Sequence, residues 1–174
     1  KTDGSLHTMG YNIYGQLGTG NTTQHDSPVE ILASGVAQIA AGLNHSLFVK
    51  TDGTLWAMGR NGDGQLGDGT TTDRTSPVQI LSSGVKQVAV GESHSYFVKT
   101  DGSLWAMGLN NCGQLGNGAS GGADDSFDAG IDQRTPVQIV SSGVGPAIVW
   151  TLRSCATWAS GRRDCSTRAW AVKE

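Results

Sequence analysis

One tetrapeptide recurs along this sequence at a fixed interval. Gly-Gln-Leu-Gly occurs at residues 15–18, 64–67 and 113–116, and each copy begins 49 residues after the one before. The repeated glycine and glutamine positions are Gly15, Gln16, Gly18, Gly64, Gln65, Gly67, Gly113, Gln114 and Gly116. A period in this range is the signature of a repeat architecture. The chain is therefore expected to be an array of similar units.

Each unit contains a predicted β-hairpin. In the second and third units, apolar runs at residues 45–49 and 94–98 are followed by Lys-Thr-Asp-Gly and then by a second apolar run, Leu-Trp-Ala-Met. Asp-Gly between two short apolar runs favours a two-residue type I′ turn, because both central residues need positive φ. The first unit begins with the same Lys-Thr-Asp-Gly.

Two further strands complete the predicted unit. One precedes each hairpin, at residues 37–41 and 86–90. The other begins at Pro28, Pro77 or Pro136, and a proline at its start suits an edge strand, since proline cannot donate to a ladder. No stretch has sustained helical periodicity with caps. Four short strands per unit predict an all-β fold, a partial β-propeller of about three blade equivalents.

The repeat resembles a known family. The run His-Ser-φ-Phe-Val-Lys-Thr-Asp-Gly-Ser/Thr-Leu-Trp-Ala-Met-Gly-x-Asn-x-x-Gly-Gln-Leu-Gly is similar to the repeat of the regulator of chromosome condensation family, in the regular form common in bacterial proteins. The resemblance covers residues 1–144 and implies a β-propeller. It also implies possible roles, because the family's founder is a nucleotide exchange factor for a small GTPase and many relatives are binding or regulatory modules. Fold alone does not decide among these roles.

The predicted domain organisation is three repeat units followed by an atypical tail. The units span residues 1–49, 50–98 and 99–144, and the tail spans 145–174. Only two of the 26 glycines lie in the tail, which suggests either a frameshifted segment or a capping segment. Closed propellers have about four to eight blades. We therefore expect a piece of a larger propeller, an open arc, or a protomer that completes a ring with other copies.

The third unit carries an insertion of about ten residues between Gly118 and Pro136. Insertions in repeats map to loops, often on the binding face. The family resemblance implies that such an insertion can form a wedge against a partner. The predicted partner-binding residues are Asp124, Asp125, Phe127 and Asp128. A calcium site is disfavoured, because the order of acidic residues and glycine does not fit an EF-hand loop.

Other repeated side chains are interpreted as structural. His45 and His94 belong to different units and lack a second ligand at zinc spacing, so a buried histidine bonded to its surroundings is favoured over a metal site. Trp56 and Trp105 are expected to pack between blades, with a sugar or base stacking platform as the alternative; the first unit has His7 there. The three glutamines are expected to satisfy loop backbone groups.

Composition and motifs narrow the possible functions. The net charge of −3 argues against a nucleic-acid partner, and no apolar run reaches the length of a membrane span. No catalytic pair, metal site or cofactor motif is found; residues 62–67 match GxGxxG, but no helix is predicted after them. The favoured function is a non-enzymatic protein-binding or regulatory module. The alternatives are nucleotide exchange on a small GTPase and glycan binding by a secreted or surface propeller.

Overall fold

The computed structural model describes residues 2–119 and 132–144, in which the chain forms β-strands and turns. The strands are β1 (Leu6–Gly10), β2 (His25–Leu32), β3 (Val36–Ala41), β4 (His45–Lys50), β5 (Leu55–Gly59), β6 (Arg74–Leu81), β7 (Val85–Val90), β8 (His94–Lys99), β9 (Leu104–Gly108) and β10 (Gln133–Val140). The all-β prediction is confirmed. Among these residues no helix has the length and apolarity needed to cross a membrane.

Two predicted features lie outside the described residues. The insertion residues Asp124, Asp125, Phe127 and Asp128 are one of them, and the tail from residue 145 is the other.

Within the described ranges, the strands form three antiparallel sheets that repeat with the sequence. The second blade has the order β3-β4-β5-β6 and the third blade pairs β7, β8, β9 and β10 in the same succession. A half-blade contains β1 and β2, which match β5 and β6 of the second blade. The four-stranded unit predicted from the repeats is therefore observed twice, preceded by the last two strands of another.

The hairpins form where the sequence predicts them, but the predicted type I′ turn is wrong. Gly53 N donates to Lys50 O (2.9 Å), which makes Thr51 and Asp52 the centre of the turn. Lys50 N donates to Thr54 O (3.0 Å), and Gly53 has φ of 79°. This is a three-residue loop in which glycine occupies a G1 bulge after the turn. Asp52 favours this arrangement, because its Oδ1 accepts from Thr54 N (2.9 Å).

The prolines lie within the outer strands, and not at their start as predicted. Pro77 is the fourth residue of β6, and the pairing of β5 with β6 shifts register between Ala57 and Gly59. Pro28 and Pro136 occupy the same place in β2 and β10. A bulge tolerates a residue that cannot donate to the ladder. The predicted edge position is confirmed, since β2, β6 and β10 are each the last strand of their sheet.

Each blade buries apolar side chains on both of its faces. In the second blade, Phe48 and Met58 pack towards the half-blade with Leu6. Leu47 and Leu55 point the other way, into a cluster that the third blade completes. A strand between two neighbouring sheets needs no polar face, which accounts for the continuous apolar runs in the repeats.

Backbone bonds join successive blades on the face that carries the hairpin turns. Val85 N, which begins the third blade, donates to Gly53 O in the second blade's hairpin turn (3.0 Å). The same bond joins Val36 N to Gly4 O (2.9 Å) and Val144 N to Gly102 O (3.0 Å). Each Ser-Gly-Val segment between units is thus bonded to the preceding blade at the point where it enters the next one.

Side-chain contacts join the blades on the opposite face, where Gly-Gln-Leu-Gly of the first two units lies against the next blade. A Cβ added to Gly67 would overlap the sulfur of Met107, and one added to Gly18 would overlap the sulfur of Met58. Both glycines also have positive φ, of 78° and 76°. Glycine is needed at both positions for two reasons: the turn requires positive φ, and the close approach of the next blade leaves no room for a Cβ.

We predict that Gly67→Ala destabilises the chain more than Gly35→Ala. Both glycines have positive φ (78° and 83°), so each alanine costs about 1–2 kcal/mol of strain. Gly35 has open space around an added Cβ, whereas Gly67 has Met107 there, which adds about 1–3 kcal/mol of overpacking. Urea unfolding of the two variants checks this difference. Equal losses would show that the blades do not meet closely at Gly67.

Candidate protein-binding face

The Gly-Gln-Leu-Gly segments and the turns between first and second strands lie at the same end of the blades; this end is called the loop face. In the second unit the segment follows β5 and makes two successive turns. Gly64 N donates to Asn61 O (2.9 Å), and Gly67 N donates to Gly64 O (3.0 Å). The other two units form the same turns at residues 12–18 and 110–116.

The repeated glutamines point into these turns. Gln65 Oε1 accepts from Asp63 N (3.0 Å), and Gln16 Oε1 accepts from Tyr14 N in the same way (3.0 Å). Gln114 Oε1 accepts from Cys112 N (2.8 Å). All three side chains are buried. Their amide oxygens bind loop N–H groups that the tight turns leave without a backbone partner.

A repeated asparagine, which the sequence analysis did not single out, organises each loop. Asn61 Oδ1 accepts from Leu66 N (3.0 Å), and its Nδ2 donates to Thr70 O (3.1 Å) and to Asp68 Oδ1 (2.9 Å). Asn12 and Asn110 make equivalent bonds and, like Asn61, are 0% exposed. The signal was present as Met-Gly-x-Asn in every unit, at the same 49-residue period.

In the third unit this asparagine holds both ends of the insertion. Asn110 Nδ2 donates to Ala119 O (2.9 Å), and Asn110 N donates to Asp132 Oδ1 (2.8 Å). Burial raises the pKa of Asp132, with a further contribution from the nearby carboxylate of Asp63. The second unit has the matching bond from Asn61 N to Asp73 Oδ1 (2.7 Å). The insertion therefore leaves and rejoins the loop face at one fixed point.

Serine hydroxyls attach the first two loops to the following blade. Ser46 Oγ donates to Gln16 O (2.9 Å), and Ser95 Oγ donates to Gln65 O (2.8 Å). In the third unit, the carbonyl of Gln114 accepts from the hydroxyl of Tyr96, which belongs to the same blade as the loop. The backbone carbonyl of each glutamine is thus bound by a side chain from outside the loop, while its side-chain amide is bound by a backbone N–H of the loop itself.

His45 belongs to this inter-blade network. Its Nε2 lies 2.9 Å from Ser95 Oγ. Because that hydroxyl donates its proton to Gln65 O, His45 must donate from Nε2, which leaves Nδ1 unprotonated. Nδ1 is buried and has no hydrogen-bond partner in the described part of the chain. Burial lowers the pKa of His45 to about 3, helped by His94 and Arg60, so the ring stays neutral.

His94 lies one blade away and packs edge-on against the ring of Tyr96, with ring centroids 5.3 Å apart. Across residues 2–119 and 132–144, no three His, Cys, Asp or Glu side chains are grouped so as to hold a metal ion.

The tryptophans lie towards the opposite face, away from the loops. Trp56 Nε1 donates to Thr54 Oγ1 (2.9 Å), which in turn donates to Asp52 Oδ1 (2.7 Å). Lys50 Nζ lies 4.4 Å from the centre of the Trp56 ring, over the surface on which a sugar would stack. Trp105 has the same neighbours, Ser103, Asp101 and Lys99.

Trp56 also borders a cleft of about 460 Å³ between the half-blade and the second blade. Glu30 and Lys50 line the cleft, so it presents both signs of charge beside an aromatic ring. Glu30 Oε2 lies 3.5 Å from Nε2 of His7, the residue that replaces tryptophan in the first unit.

Ion pairs on the loop face carry both signs of charge. Arg74 contacts Asp68 (2.6 Å), and Arg60 contacts Asp63 (3.3 Å). Burial tends to raise the pKa of Asp68, but hydrogen bonds from Thr70 and Arg74 outweigh it and the pKa is lowered. In the described part of the loop face, these two pairs therefore place opposite charges side by side.

Four-stranded antiparallel sheets that repeat along the chain and pack face to face are the blades of a β-propeller. The fold therefore defines the chain as a β-propeller repeat protein. The family model described as regulator of chromosome condensation (RCC1) repeat matches residues 3–49, 52–98 and 101–155, and a second model of the same repeat matches residues 36–65 and 85–114. The chain belongs to the RCC1 repeat family. A search of curated proteins found no match.

Solved structures of similar fold include three from human and yeast proteins. Human WBSCR16 is 25% identical with a TM-score of 0.64, and the match covers 78% of this chain and 33% of that one. Prp20p from Saccharomyces cerevisiae is 23% identical with a TM-score of 0.65, covering 81% and 35%. Yeast RCC1 (Prp20) bound to Kap60 is 23% identical with a TM-score of 0.66, covering 79% and 33%. The chain spans about a third of the length of these proteins.

We predict that Asn110→Ala loosens the insertion, whereas Asn12→Ala does not. Each change removes a buried amide and leaves buried partners unpaired, at about 1–3 kcal/mol per group, so both lower the free energy of unfolding. Only Asn110 holds Ala119. Limited proteolysis should therefore cut within residues 120–131 faster in Asn110→Ala alone. Cleavage at the wild-type rate would contradict the anchoring role.

We also predict that His45→Gln flattens the acid dependence of stability. The pKa of His45 is about 3 in the folded chain and about 6.5 when unfolded, so between these values only the unfolded state binds the proton. Stability therefore falls as the pH drops through this window, and above it His45 contributes no pH dependence. Between pH 6 and pH 4 the wild type should lose about 2–3 kcal/mol more than the variant.

Denaturant unfolding across this pH range measures the difference. Glutamine keeps an amide donor for Ser95 and does not titrate, so it isolates the contribution of the ring. Parallel curves for the two proteins would mean that His45 is accessible to protons in the folded state.

Proposed function

We propose that this chain acts as a non-enzymatic protein-binding or regulatory module. It uses the loop face, and the insertion between Ala119 and Asp132 is its main contact with a partner. The observation that carries the proposal is the bonding of both ends of that insertion to Asn110 (2.9 and 2.8 Å). Binding residues are commonly found on loops that a rigid scaffold positions.

The composition of the insertion favours a particular kind of partner. Phe127 lies among the acidic residues Asp124, Asp125 and Asp128. An aromatic side chain is a common anchor in protein interfaces, and surrounding charges steer association and select partners. We therefore expect a protein surface with an apolar pocket bordered by basic residues.

The polar side chains of the loop face support binding more than catalysis. His45 and Ser95 bond to each other, and Ser95 also bonds to Gln65, so that these groups serve the junction between blades. Catalysis by a serine or histidine needs a nucleophile and base held open to a substrate.

One solved relative, yeast Prp20, is described with protein partners in two structures. The first is described with its binding properties to Gsp1p and histones, and the second is bound to Kap60. At 23% identity these likenesses support the fold, and they make a protein partner a reasonable class to test.

The second unit supplies the design of the test. Replacing residues 119–131 by Thr-Thr-Thr gives the third unit the loop that the second unit has at residues 70–72. The grafted variant should keep its fold, since the second unit already closes this loop with Asn61 and Asp73 (2.7 Å). Phe127→Ala is the point variant, and Thr71→Ala on the exposed second-unit loop is the matched control.

Affinity capture from a lysate of the source cells, quantified by mass spectrometry, compares the four proteins. We expect at least one captured protein to be lost with the graft and weakened about tenfold or more by Phe127→Ala, the size of an interface anchor. Thr71→Ala should capture it normally. Identical captured proteins from the wild type and the graft would overturn the assignment of the insertion.

A further inference from the structure

The third unit places asparagine before a glycine where the other two units do not. The equivalent pairs are Thr19-Gly20, Asp68-Gly69 and Asn117-Gly118. In an Asn-Gly pair the backbone nitrogen of the glycine can attack the side-chain amide carbon of the asparagine, because glycine has no Cβ to hinder the approach. Asparagine is among the chemically labile residues of proteins.

In the first two units, the backbone nitrogens equivalent to Gly118 N are bonded to the next blade. Gly20 N donates to Thr75 O (2.8 Å), and Gly69 N donates to Arg134 O (2.9 Å) on the next blade. Gly118 N has no such bond within residues 2–119 and 132–144, and a blade following the third one lies outside that range. Gly118 is exposed, with φ of 81° and no atom within 4 Å of an added Cβ.

The side chain of Asn117 is bound in a way that activates its carbonyl carbon. Oδ1 accepts from Asn110 Nδ2 (3.0 Å) and from Ala119 N (3.0 Å). Two donors on the oxygen polarise the amide and stabilise the negative charge that develops there during attack. Among the described residues no acceptor holds Nδ2, so the leaving nitrogen can take a proton from water.

We propose that Asn117 is a site of spontaneous deamidation. Gly118 N loses its proton to water or hydroxide and bonds to Cγ of Asn117, and the bond from Cγ to Nδ2 breaks to release ammonia. Water then opens the resulting five-membered imide at either carbonyl. The products are aspartate or isoaspartate, each with one new carboxylate. In the overall reaction, one side-chain amide and one water molecule are converted into one carboxylate and one ammonium ion.

The other Asn-Gly pair, Asn61-Gly62, is protected by the fold. Asn61 is 0% exposed; its Oδ1 accepts from Leu66 N (3.0 Å), and its Nδ2 donates to Asp68 and Thr70. These bonds must break before Gly62 N can reach Cγ, so reaction at Asn61 requires local unfolding. The chain thus carries its own matched control.

The aspartate product fits the position that Asn117 occupies. Asp68 stands there in the second unit and accepts from Thr70 N (2.9 Å), as Asn117 accepts from Ala119 N. The isoaspartate product instead lengthens the main chain at residue 117, two residues before Ala119. It should weaken the bond between Asn110 and Ala119, so deamidation acts on the first anchor of the insertion.

The test is incubation of the full chain in mildly alkaline buffer, folded and in urea, followed by peptide mapping by mass spectrometry. In the folded chain Asn117 should convert to the acid at least about tenfold faster than Asn61, because only Asn61 needs local opening. In urea the two sites should convert at similar rates. Methyl transfer by an isoaspartate methyltransferase should label the same peptide.

Two variants complete the experiment. Asn117→Asp should abolish the conversion at this site and keep the wild-type circular dichroism, since Asp68 already occupies the equivalent position. Gly118→Ala should slow conversion by hindering the attack. Folded-state rates that are equal at Asn117 and Asn61, or conversion of Asn117 only in urea, would overturn the proposal.

Discussion

The contact between a Gly-Gln-Leu-Gly loop and the following blade, observed at the first two loops, is the interaction on which the rest of the structure depends. The loop turns tightly enough for Gly18 and Gly67 to lie against methionine sulfur atoms. Its glutamine carbonyl accepts a serine proton from the next blade (2.8 Å at Gln65). A blade buries both faces only if its neighbour approaches this closely, so the loop sequence recurs in every unit.

This requirement separates the two ends of the blades. Hairpin turns and the tryptophan side chains occupy one end, where short backbone bonds join the blades (Val85 N to Gly53 O, 3.0 Å). The loop face occupies the other, and there each long connection from third to fourth strand is held by one buried asparagine. Because Asn110 holds its connection at Ala119 and Asp132 (2.9 and 2.8 Å), the middle can grow by insertion without disturbing the blade. Long insertions in surface loops cost little free energy.

Sequence reasoning predicted the features that repeat and missed those that depend on geometry. The 49-residue period and the apolar runs predicted four-stranded blades and the outer position of the proline strands. The turn type was wrong because Asp52 bonds to Thr54 N (2.9 Å) and moves the turn one residue towards Lys50. Asn61 was overlooked because its importance comes from partners as far along the chain as Thr72 (3.2 Å), which no local pattern shows. The partner-binding role of Phe127 remains a prediction, since that residue lies outside the described part of the chain.

Amide hydrogen exchange at Leu17, Leu66 and Leu115 tests the central claim most directly. Each N–H donates to the buried asparagine of its own loop (2.9, 3.0 and 3.0 Å). If the loops are rigid parts of the blade junctions, these amides exchange as slowly as the amides of the central strands and open only with global unfolding. If they exchange at the rate of exposed loop amides such as that of Thr71, the loops are not what holds the blades together.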